Sequence, residues 1–262
     1  MRIPPMIIRR LLLVLAAALA LPAATAAEVR LIAGTIPGFC EAKGESVGGA
    51  SCALVAEMAR RMHYPRKIEL MPFIRALETV RLGRNVIMPL GRSKARENNA
   101  QWRVVLLEDE FVLITQKHPE EAVDSLGAVR DKAVGAMRGG IAVEIAHAGG
   151  LTRLEEVAEE PLNARKLAAG RIVAWIGAWN SIRQAQRQAG LPVADLRRAA
   201  VLQRFAIYLA ASRDVPAEEL DKWKAVLDAM RADGTYRRIL AEYDYEVPQS
   251  HAKPASTPAA GR

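Results

Sequence analysis

The sequence contains few of the residues on which metal centres and nucleic-acid interfaces depend. Aromatic residues make up 5% of its 262 positions, and there are two cysteines and four dispersed histidines: His63, His118, His147 and His251. The histidines and cysteines lack the spacing of a metal site. The aromatics are not interleaved with basic residues in the stripe that single-stranded nucleic-acid binders use. We therefore expect no metal, no cofactor and no nucleic-acid partner.

Long apolar runs are absent beyond the N-terminus. There, three arginines among the first ten residues precede the apolar segment Leu11–Leu21, which is too short for a comfortable membrane span. The small residues Ala24–Thr25–Ala26 follow it. This order predicts a secretory signal peptide over residues 1–27 and therefore an exported, soluble protein. No cysteine stands directly after the apolar segment, so we expect no lipid anchor.

Neither sign of charge dominates strongly. The net charge of +8 falls to +5 when residues 1–27 are removed, because they hold three arginines and no acid. Such a modest excess is compatible with an anionic ligand or a membrane surface. The composition, 51% hydrophobic and 25% charged, is typical of a globular protein with one large domain or two.

The two cysteines, Cys40 and Cys52, both lie in the part of the chain that we expect to be exported. In an oxidising compartment a pair this close in sequence favours a disulfide that closes a short loop. The alternative is two free thiols, one in a loop and one on a helix face.

Apolar runs and helical periodicity alternate along the remainder of the chain. We predict strands at Val29–Ala33, Lys67–Met71, Val86–Met88, Phe111–Thr115, Ala133–Met137, Leu151–Val157, Ile172–Ile176 and Phe205–Ala211. We predict helices at Ser51–Met62, Ile74–Leu82, Ile141–Ala148, Leu162–Ala169, Asn180–Ala189, Glu218–Arg231 and Thr235–Tyr243. Most of the strands are continuous apolar runs, which indicates an α/β fold with mostly parallel sheets. A tail at 249–262, rich in Pro, Ala and Ser, is predicted to be disordered.

One segment, Pro72–Arg96, has the composition of an anion site. After its helix and strand, the loop Pro89–Gly91 leads to Ser93, a predicted helix N-cap, with Arg96 one turn later. A strand-end loop with free N–H groups beside a fixed cation is typical of a site for a small anion, often a carboxylate.

Two further segments could supply an opposite wall. Arg138–Gly139–Gly140 precedes a predicted helix, where successive N–H groups attract an anion, or where the glycines serve a tight turn. Trp175 and Trp179 flank Gly177 at a strand end. They could contact a flat or apolar part of a ligand, or pack between helices.

Five segments, in order and spacing, resemble the periplasmic solute-binding proteins of the polar amino-acid ABC-transporter type (solute-binding protein family 3). They are Gly49–Met62, Pro72–Arg96 with its Ser-x-x-Arg-Glu motif, Val134–Gly140, Leu167–Trp175 with its Leu-x-x-Gly-Arg motif, and Ala229–Tyr243 with Asp-Gly-Thr-Tyr. The resemblance covers nearly all of the chain after the signal peptide.

The resemblance implies two α/β lobes with mixed, mostly parallel sheets, joined by a two-segment hinge. The first lobe would comprise residues 28–108 and 206–248, and the second 109–205. A ligand would bridge the lobes and favour their closed state. The resemblance also implies a monomer in the periplasm that serves an inner-membrane ABC permease or a sensor kinase.

In the resembling family an arginine binds the ligand carboxylate, and Arg96 matches it, with the Gly91 N–H at the other carboxylate oxygen. Ser93 would cap the helix and could also contact the ligand. Phe73 and Phe39 match positions where the family often has aromatics over the ligand, although either could belong to the core.

The sequence departs from the family where the ligand ammonium is bound. Ala178 stands in place of the usual aspartate, and Gly140 and Ile141 stand in place of hydroxyl residues. An ammonium left unpaired in a closing cleft costs several kcal/mol, on the order of 2–7. We therefore predict a ligand that is an anionic or aromatic carboxylate rather than an ordinary α-amino acid.

Two alternatives to a binding protein remain open. Some relatives of the family are dehydratases or peptidoglycan lyases, for which Glu110 and Glu144 would be the candidate acids. The other alternative is an accessory periplasmic protein whose cleft is vestigial. We expect a binding protein without a catalytic residue.

Overall fold

The computed structural model describes residues 29–118 and 123–248. The predicted signal peptide (1–27) and the predicted C-terminal tail (249–262) lie outside these ranges. No helix within them is long and apolar enough to cross a bilayer.

Eight strands form one mixed sheet in the order β4-β1-β5-β10-β6-β9-β7-β8. With a separate hairpin, β2–β3, the strands are β1 Arg30–Gly34, β2 Glu41–Lys43, β3 Ser46–Gly48, β4 Glu69–Met71, β5 Val86–Gly91, β6 Gln101–Gln116, β7 Val134–Met137, β8 Leu154–Val157, β9 Ala174–Ala178 and β10 Leu196–Ala211. The pairs β1–β4, β1–β5, β7–β8 and β7–β9 are parallel. The predicted α/β class with a mixed, mostly parallel sheet is confirmed.

Helices connect the strands within each half of the sheet. They are α1 Ala50–Arg61, α2 Phe73–Leu82, α3 Ile141–Ala148, α4 Glu160–Ala168, α5 Trp179–Gln188, α6 Ala217–Ala232 and α7 Thr235–Glu242, with a 3₁₀ helix at Lys94–Asn99. The predicted helices agree with these bounds to within two residues. The helices agree well because apolar residues at 3.6-residue spacing are an unambiguous sign of a helix.

The largest apolar cluster runs through both lobes, and a smaller one belongs to the second lobe. In the first lobe α1, α6 and α7 bury Leu54, Met58, Trp223 and Met230 in one cluster. In the second lobe Trp175, fully buried, lies within a cluster that α4 and α5 cover. Trp175 therefore packs in the core, as the packing alternative for this residue proposed, rather than forming a ligand wall.

Two strands of 16 residues, β6 and β10, join the lobes and form the hinge. They pair antiparallel from Gln101↔Ala211 in the first lobe to Gln116↔Leu196 in the second. Register shifts interrupt the ladder on both sides of an in-register stretch between Gln203 and Ile207. The predicted lobe boundaries, at 108/109 and 205/206, fall in the middle of these strands.

The length of these two strands differs from the prediction. Phe111–Thr115 and Phe205–Ala211 are parts of longer strands, and the acidic stretch Glu108–Glu110, predicted as a turn, lies inside β6. Acidic residues are usually depleted from strands. Here hydrogen bonds and ion pairs from other elements offset the cost of burying acidic residues. These partners are distant in sequence, so the sequence alone does not indicate them.

Two buried carboxyl groups lie in the hinge. Asp109 accepts hydrogen bonds from Asn180 Nδ2 at 3.0 Å, from the Tyr245 hydroxyl at 3.2 Å and from the Glu110 N–H at 2.6 Å. Glu110 forms ion pairs with Arg198 and Arg204. Because no cation pairs with Asp109 among the described residues, burial dominates and raises its pKa to about 7.

The Cys40–Cys52 disulfide is present, with a sequence separation of 12 residues. It joins the loop after β1 to the first turn of α1, and both cysteines are buried. Phe39 directly precedes Cys40, just outside the loop that the disulfide closes. The disulfide therefore fixes one wall of the space between the lobes.

Replacing both cysteines, Cys40→Ala with Cys52→Ala, should lower the free energy of unfolding by about 3 kcal/mol, as expected for a loop of this length. Urea unfolding followed by circular dichroism measures it. Reductant should destabilise the native protein equally and leave the double variant unchanged. A native protein that is insensitive to reductant would contradict the prediction.

Asp109→Asn should remove a pH dependence of stability. The folded pKa of about 7 lies above the ordinary value of 3.8, so the unfolded state loses its proton first as pH rises. The native protein should therefore lose roughly 2–4 kcal/mol of unfolding free energy between about pH 4 and 7 relative to the variant.

The measurement is urea unfolding of both proteins at half-unit pH steps, with the exposed Asp124→Asn as the matched control. The difference between native protein and Asp109→Asn should change with pH, whereas the control difference should stay constant. Parallel curves for Asp109→Asn would show that Asp109 is ionised in the folded state at low pH.

Candidate binding cleft

A cavity lies between the lobes, where the carboxyl ends of parallel strands from both halves of the sheet meet. The last residues of β1, β5, β7 and β9, which are Gly34, Gly91, Met137 and Ala178, all line it. In open α/β sheets, ligands bind at the carboxyl ends of the strands. The topology therefore identifies this cavity as the candidate binding cleft.

The walls of the cleft are mainly apolar. The chain contains four phenylalanines, and all of them line the cavity: Phe39, Phe73, Phe111 and Phe205. Phe111 and Phe205, which come from the two hinge strands, have ring centroids 4.5 Å apart. The phenylalanines of the chain are thus concentrated at one place. Phe39 and Phe73, predicted at the sequence level, belong to this set.

Arg96 is the buried cation of the cleft. Its residue is 8% exposed, and its guanidinium lies 5.6 Å from the centre of the Phe73 ring. It donates to the carbonyl of Gly91 in the first lobe at 3.0 Å and to that of Gly139 in the second lobe at 2.7 Å. We predicted that the Gly91 N–H donates to a ligand carboxylate beside Arg96. In the structure the Gly91 carbonyl accepts from Arg96 itself.

Burial lowers the pKa of Arg96 to about 10, against a smaller raising effect of the Glu144 charge. The guanidinium remains charged at neutral pH. No ion pair to it occurs among the described residues, and carbonyl oxygens neutralise a cation less well than a carboxylate does. An anion in the cleft would therefore stabilise the buried charge of Arg96.

Ser93 occupies the N-cap position of the 3₁₀ helix, but its hydroxyl makes no capping hydrogen bond. The hydroxyl donates instead to Glu144 Oε1 of helix α3 in the second lobe, at 2.9 Å. The prediction of a side-chain cap is wrong for this reason. Ser93 and Arg96 both link the lobes across the cleft.

The predicted anion nest at Arg138–Gly140 has no free donors at two of its three positions. The Arg138 N–H bonds to Val157 and the Gly140 N–H to Met137. The Arg138 side chain is exposed and lies outside the cavity lining, whereas Gly140 is part of it. Gly139 has φ +67, so the turn itself requires glycine.

Gly139 also meets the opposite lobe at close range. A Cβ atom at position 139 would lie 2.4 Å from Ile74 Cδ1 of α2. Glycine here lets the backbone of the second lobe approach Arg96 and α2 closely. The tight turn and the close contact between the lobes together explain the glycine at position 139.

Trp179 lies outside the cleft lining, on the outer side of the hinge. Its Nε1 donates to Glu246 at 2.7 Å, and the Arg198 guanidinium lies 5.0 Å from its ring centre. These contacts tie α5 to the C-terminal segment of the chain. The helix-packing alternative describes them better than a ligand wall.

Several lining residues were missed at the sequence level. They are the hinge phenylalanines Phe111 and Phe205, the serines Ser51 and Ser181, and Glu160. The hydroxyls of both serines are buried and have no hydrogen-bond partner. Glu160 precedes Pro161 at the start of a helix, a position where acids are usually solvent-exposed, so the sequence gives no sign of its burial.

Glu160 is 3% exposed. Asn163 Nδ2 and Trp175 Nε1 donate to its Oε2 at 3.0 and 2.9 Å. Burial raises its pKa to about 7, and these two hydrogen bonds partly oppose the shift. The candidate acids Glu110 and Glu144 are engaged with Arg198 and Ser93 respectively, and neither lines the cavity.

No group of three or more His, Cys, Asp or Glu side chains in the described ranges is placed to hold a metal ion. No protein-family model matches the sequence. No curated protein matches it either.

Many solved structures share the fold. A histidine kinase sensor domain with similarity to periplasmic binding proteins is 18% identical, covering 82% of this chain and 95% of its own, with a TM-score of 0.73. The arginine-, lysine-, histidine-binding protein ArtJ from Geobacillus stearothermophilus is 12% identical, covering 85% and 97%, with a TM-score of 0.72. EhuB in complex with hydroxyectoine is 18% identical, covering 83% and 88%, with a TM-score of 0.71.

These similarities extend over most of this chain and of each matched chain. At 12–18% identity they establish the architecture rather than the ligand. Both lobes, the two-strand hinge and the cleft between them agree with that architecture. The chain therefore has the fold of the type 2 periplasmic binding proteins.

Proposed function

We propose that this chain is a periplasmic solute-binding protein that captures a small carboxylate-bearing solute between its lobes, with Arg96 as the residue that holds the carboxylate. The observation that carries the proposal is a buried guanidinium at the meeting point of both lobes, whose hydrogen bonds reach carbonyl oxygens.

Burial of an arginine without an anion is energetically costly. A carboxylate fits the fork of a guanidinium with two parallel hydrogen bonds and restores the lost solvation. Its binding would exchange the neutral Gly139 carbonyl for a charged partner. The solute would then link the lobes at the place where Arg96 now contacts both of them directly. Solute binding would therefore be coupled to closure of the lobes.

The apolar walls support a solute with a hydrocarbon or aromatic part beside its carboxylate. Four phenylalanine rings line a cavity in which few side chains are charged. Ligand pockets commonly combine apolar walls with a small number of polar groups that fix orientation. In this cleft Arg96 would fix the orientation.

The neighbouring structures support a role in solute capture. They are a histidine kinase sensor domain, EhuB in complex with hydroxyectoine, and an arginine-, lysine-, histidine-binding protein. We infer that this chain, exported by its N-terminal signal sequence, acts as a monomer and delivers its solute to an inner-membrane ABC permease or presents it to a sensor kinase.

Binding without catalysis fits the two candidate acids, Glu110 and Glu144, better than an enzyme does. Glu110 forms two ion pairs in the hinge, and Glu144 accepts from Ser93. Neither lines the cavity, so neither is within reach of a solute there. A general acid or base has to be within hydrogen-bond distance of the proton that it transfers.

Arg96→Ala should weaken carboxylate binding by about 10- to 100-fold, because a charge-assisted pair is lost from a buried site. A thermal-shift screen of the mature protein against aliphatic and aromatic carboxylates and amino acids identifies the solute class. A solute at 100 times its Kd should stabilise the native protein by about 2.7 kcal/mol.

Arg138→Ala is the matched control, since Arg138 is an exposed arginine in the loop opposite Arg96. It should retain the thermal shift that Arg96→Ala loses. Equal binding to both variants would overturn the role of Arg96. If no carboxylate stabilises the native protein, the cleft does not capture such solutes and the accessory-protein alternative is favoured.

A further inference from the structure

The cleft contains a second charged group, Glu160, on the side formed by the second lobe. It lines the same cavity as Arg96 but comes from the first turn of α4. Both hydrogen bonds that its carboxylate accepts in the described part of the chain reach Oε2. These bonds hold the carboxylate in place and leave Oε1 available.

Gly177 of β9 lies beside Oε1. A Cβ atom on Gly177 would lie 3.4 Å from Oε1, so glycine leaves open the space beside the carboxylate. The next residue, Ala178, lines the cavity. With alanine at position 178 in place of the expected aspartate, Glu160 is the carboxylate in the cavity lining.

Ser181, in the first turn of α5, adds a polar atom to the same wall. Its hydroxyl is buried without a hydrogen-bond partner, and the residue lines the cavity with Glu160 and Ala178. A buried hydroxyl that lacks a partner costs about 1–3 kcal/mol. The cavity lining that holds Glu160 therefore also holds an unsatisfied hydroxyl.

No cation of the described chain neutralises Glu160. On α4 itself, Lys166 pairs with Glu155 of β8. On α5, which packs against α4, Arg183 and Arg187 pair with Asp244. The groups on Glu160 from α4 and β9 are the neutral Asn163 and Trp175.

Arg96 and Glu160 do not neutralise each other. The carboxylate whose charge acts on Arg96 is Glu144, and Glu160 responds to burial and to its two neutral hydrogen-bond donors. Two buried opposite charges close together would shift each other's pKa strongly. No hydrogen bond or ion pair joins the two groups in the described part of the chain. The guanidinium donates to Gly91 and Gly139, and the carboxylate accepts from Asn163 and Trp175.

We propose that Glu160 and Ser181 form a second subsite of the cleft, which binds a protonated amine, so that the solute carries a carboxylate and an amine at opposite ends of an apolar segment. This inference rests on the proposed function, because it requires Arg96 to hold the carboxylate end. An α-amino acid, whose amine is one carbon from its carboxylate, could not serve both subsites with those two groups.

The test uses isothermal titration calorimetry of the mature protein with three matched sets of probes. The first is a series of straight-chain amino carboxylates: 4-aminobutanoate, 6-aminohexanoate and 8-aminooctanoate. The second is the corresponding carboxylates without the amine, and the third is the corresponding α-amino acids. One member of the first set should bind about 10- to 100-fold more tightly than its matched carboxylate and α-amino acid, as expected for a buried charged hydrogen bond.

Glu160→Gln should reduce that preference to about twofold or less, because the amide keeps the shape but removes the charge. Ser181→Ala should reduce it partially. Glu159→Gln is the matched control, since Glu159 is the exposed neighbour of Glu160 in sequence. It should retain the preference of the native protein.

Proton exchange gives a readout that does not depend on any substitution. A cation bound beside Glu160 favours its ionised form, so binding of the amino carboxylate at pH 6 should release close to one proton, and at pH 9 none. The carboxylate without an amine should release none from this group. Titrations in two buffers of different ionisation enthalpy measure the difference.

The outcomes separate the two proposals. Equal binding of amino carboxylates and plain carboxylates, or a preference that survives Glu160→Gln, overturns the amine subsite while leaving the role of Arg96 intact. Absence of proton release at pH 6 also overturns it. Failure of every probe to bind overturns the proposed function and the subsite together.

Discussion

A single buried guanidinium holds the two lobes in register across the cleft. Arg96 donates to a carbonyl on each side, and no carboxylate forms an ion pair with it among the described residues. The close approach of Gly139, the position of Phe73 and the cross-lobe bond of Ser93 all surround this contact. The cleft is thus organised around a charge whose best partner is an anion.

The fold was largely predictable because its local periods are strong. Helices such as α3 have clear apolar stripes between glycine stops, and the short parallel strands are continuous apolar runs. The two hinge strands were predicted too short, because Glu108–Glu110 has the composition of a turn. The acids are stabilised within the strand by contacts with Asn180, Tyr245 and Arg198. These three residues lie far from the acids in sequence.

The cleft was predictable in part. Arg96, Phe39 and Phe73 were found because a motif or a loop position indicated them, and all three line the cavity. Glu160 was not found, because an acid at a helix start is normally explained by the helix dipole. Its burial depends on Trp175 and on glycine at position 177, which are contacts between elements.

The continuity of the sheet through both lobes has a mechanical consequence. Since β6 and β10 remain hydrogen-bonded from end to end, the lobes cannot slide past or swivel freely around each other. The pairing is irregular on either side of Gln203–Ile207, where the strands can bend with the least loss of hydrogen bonds. Any change in the angle between the lobes therefore has to bend or twist this pair of strands.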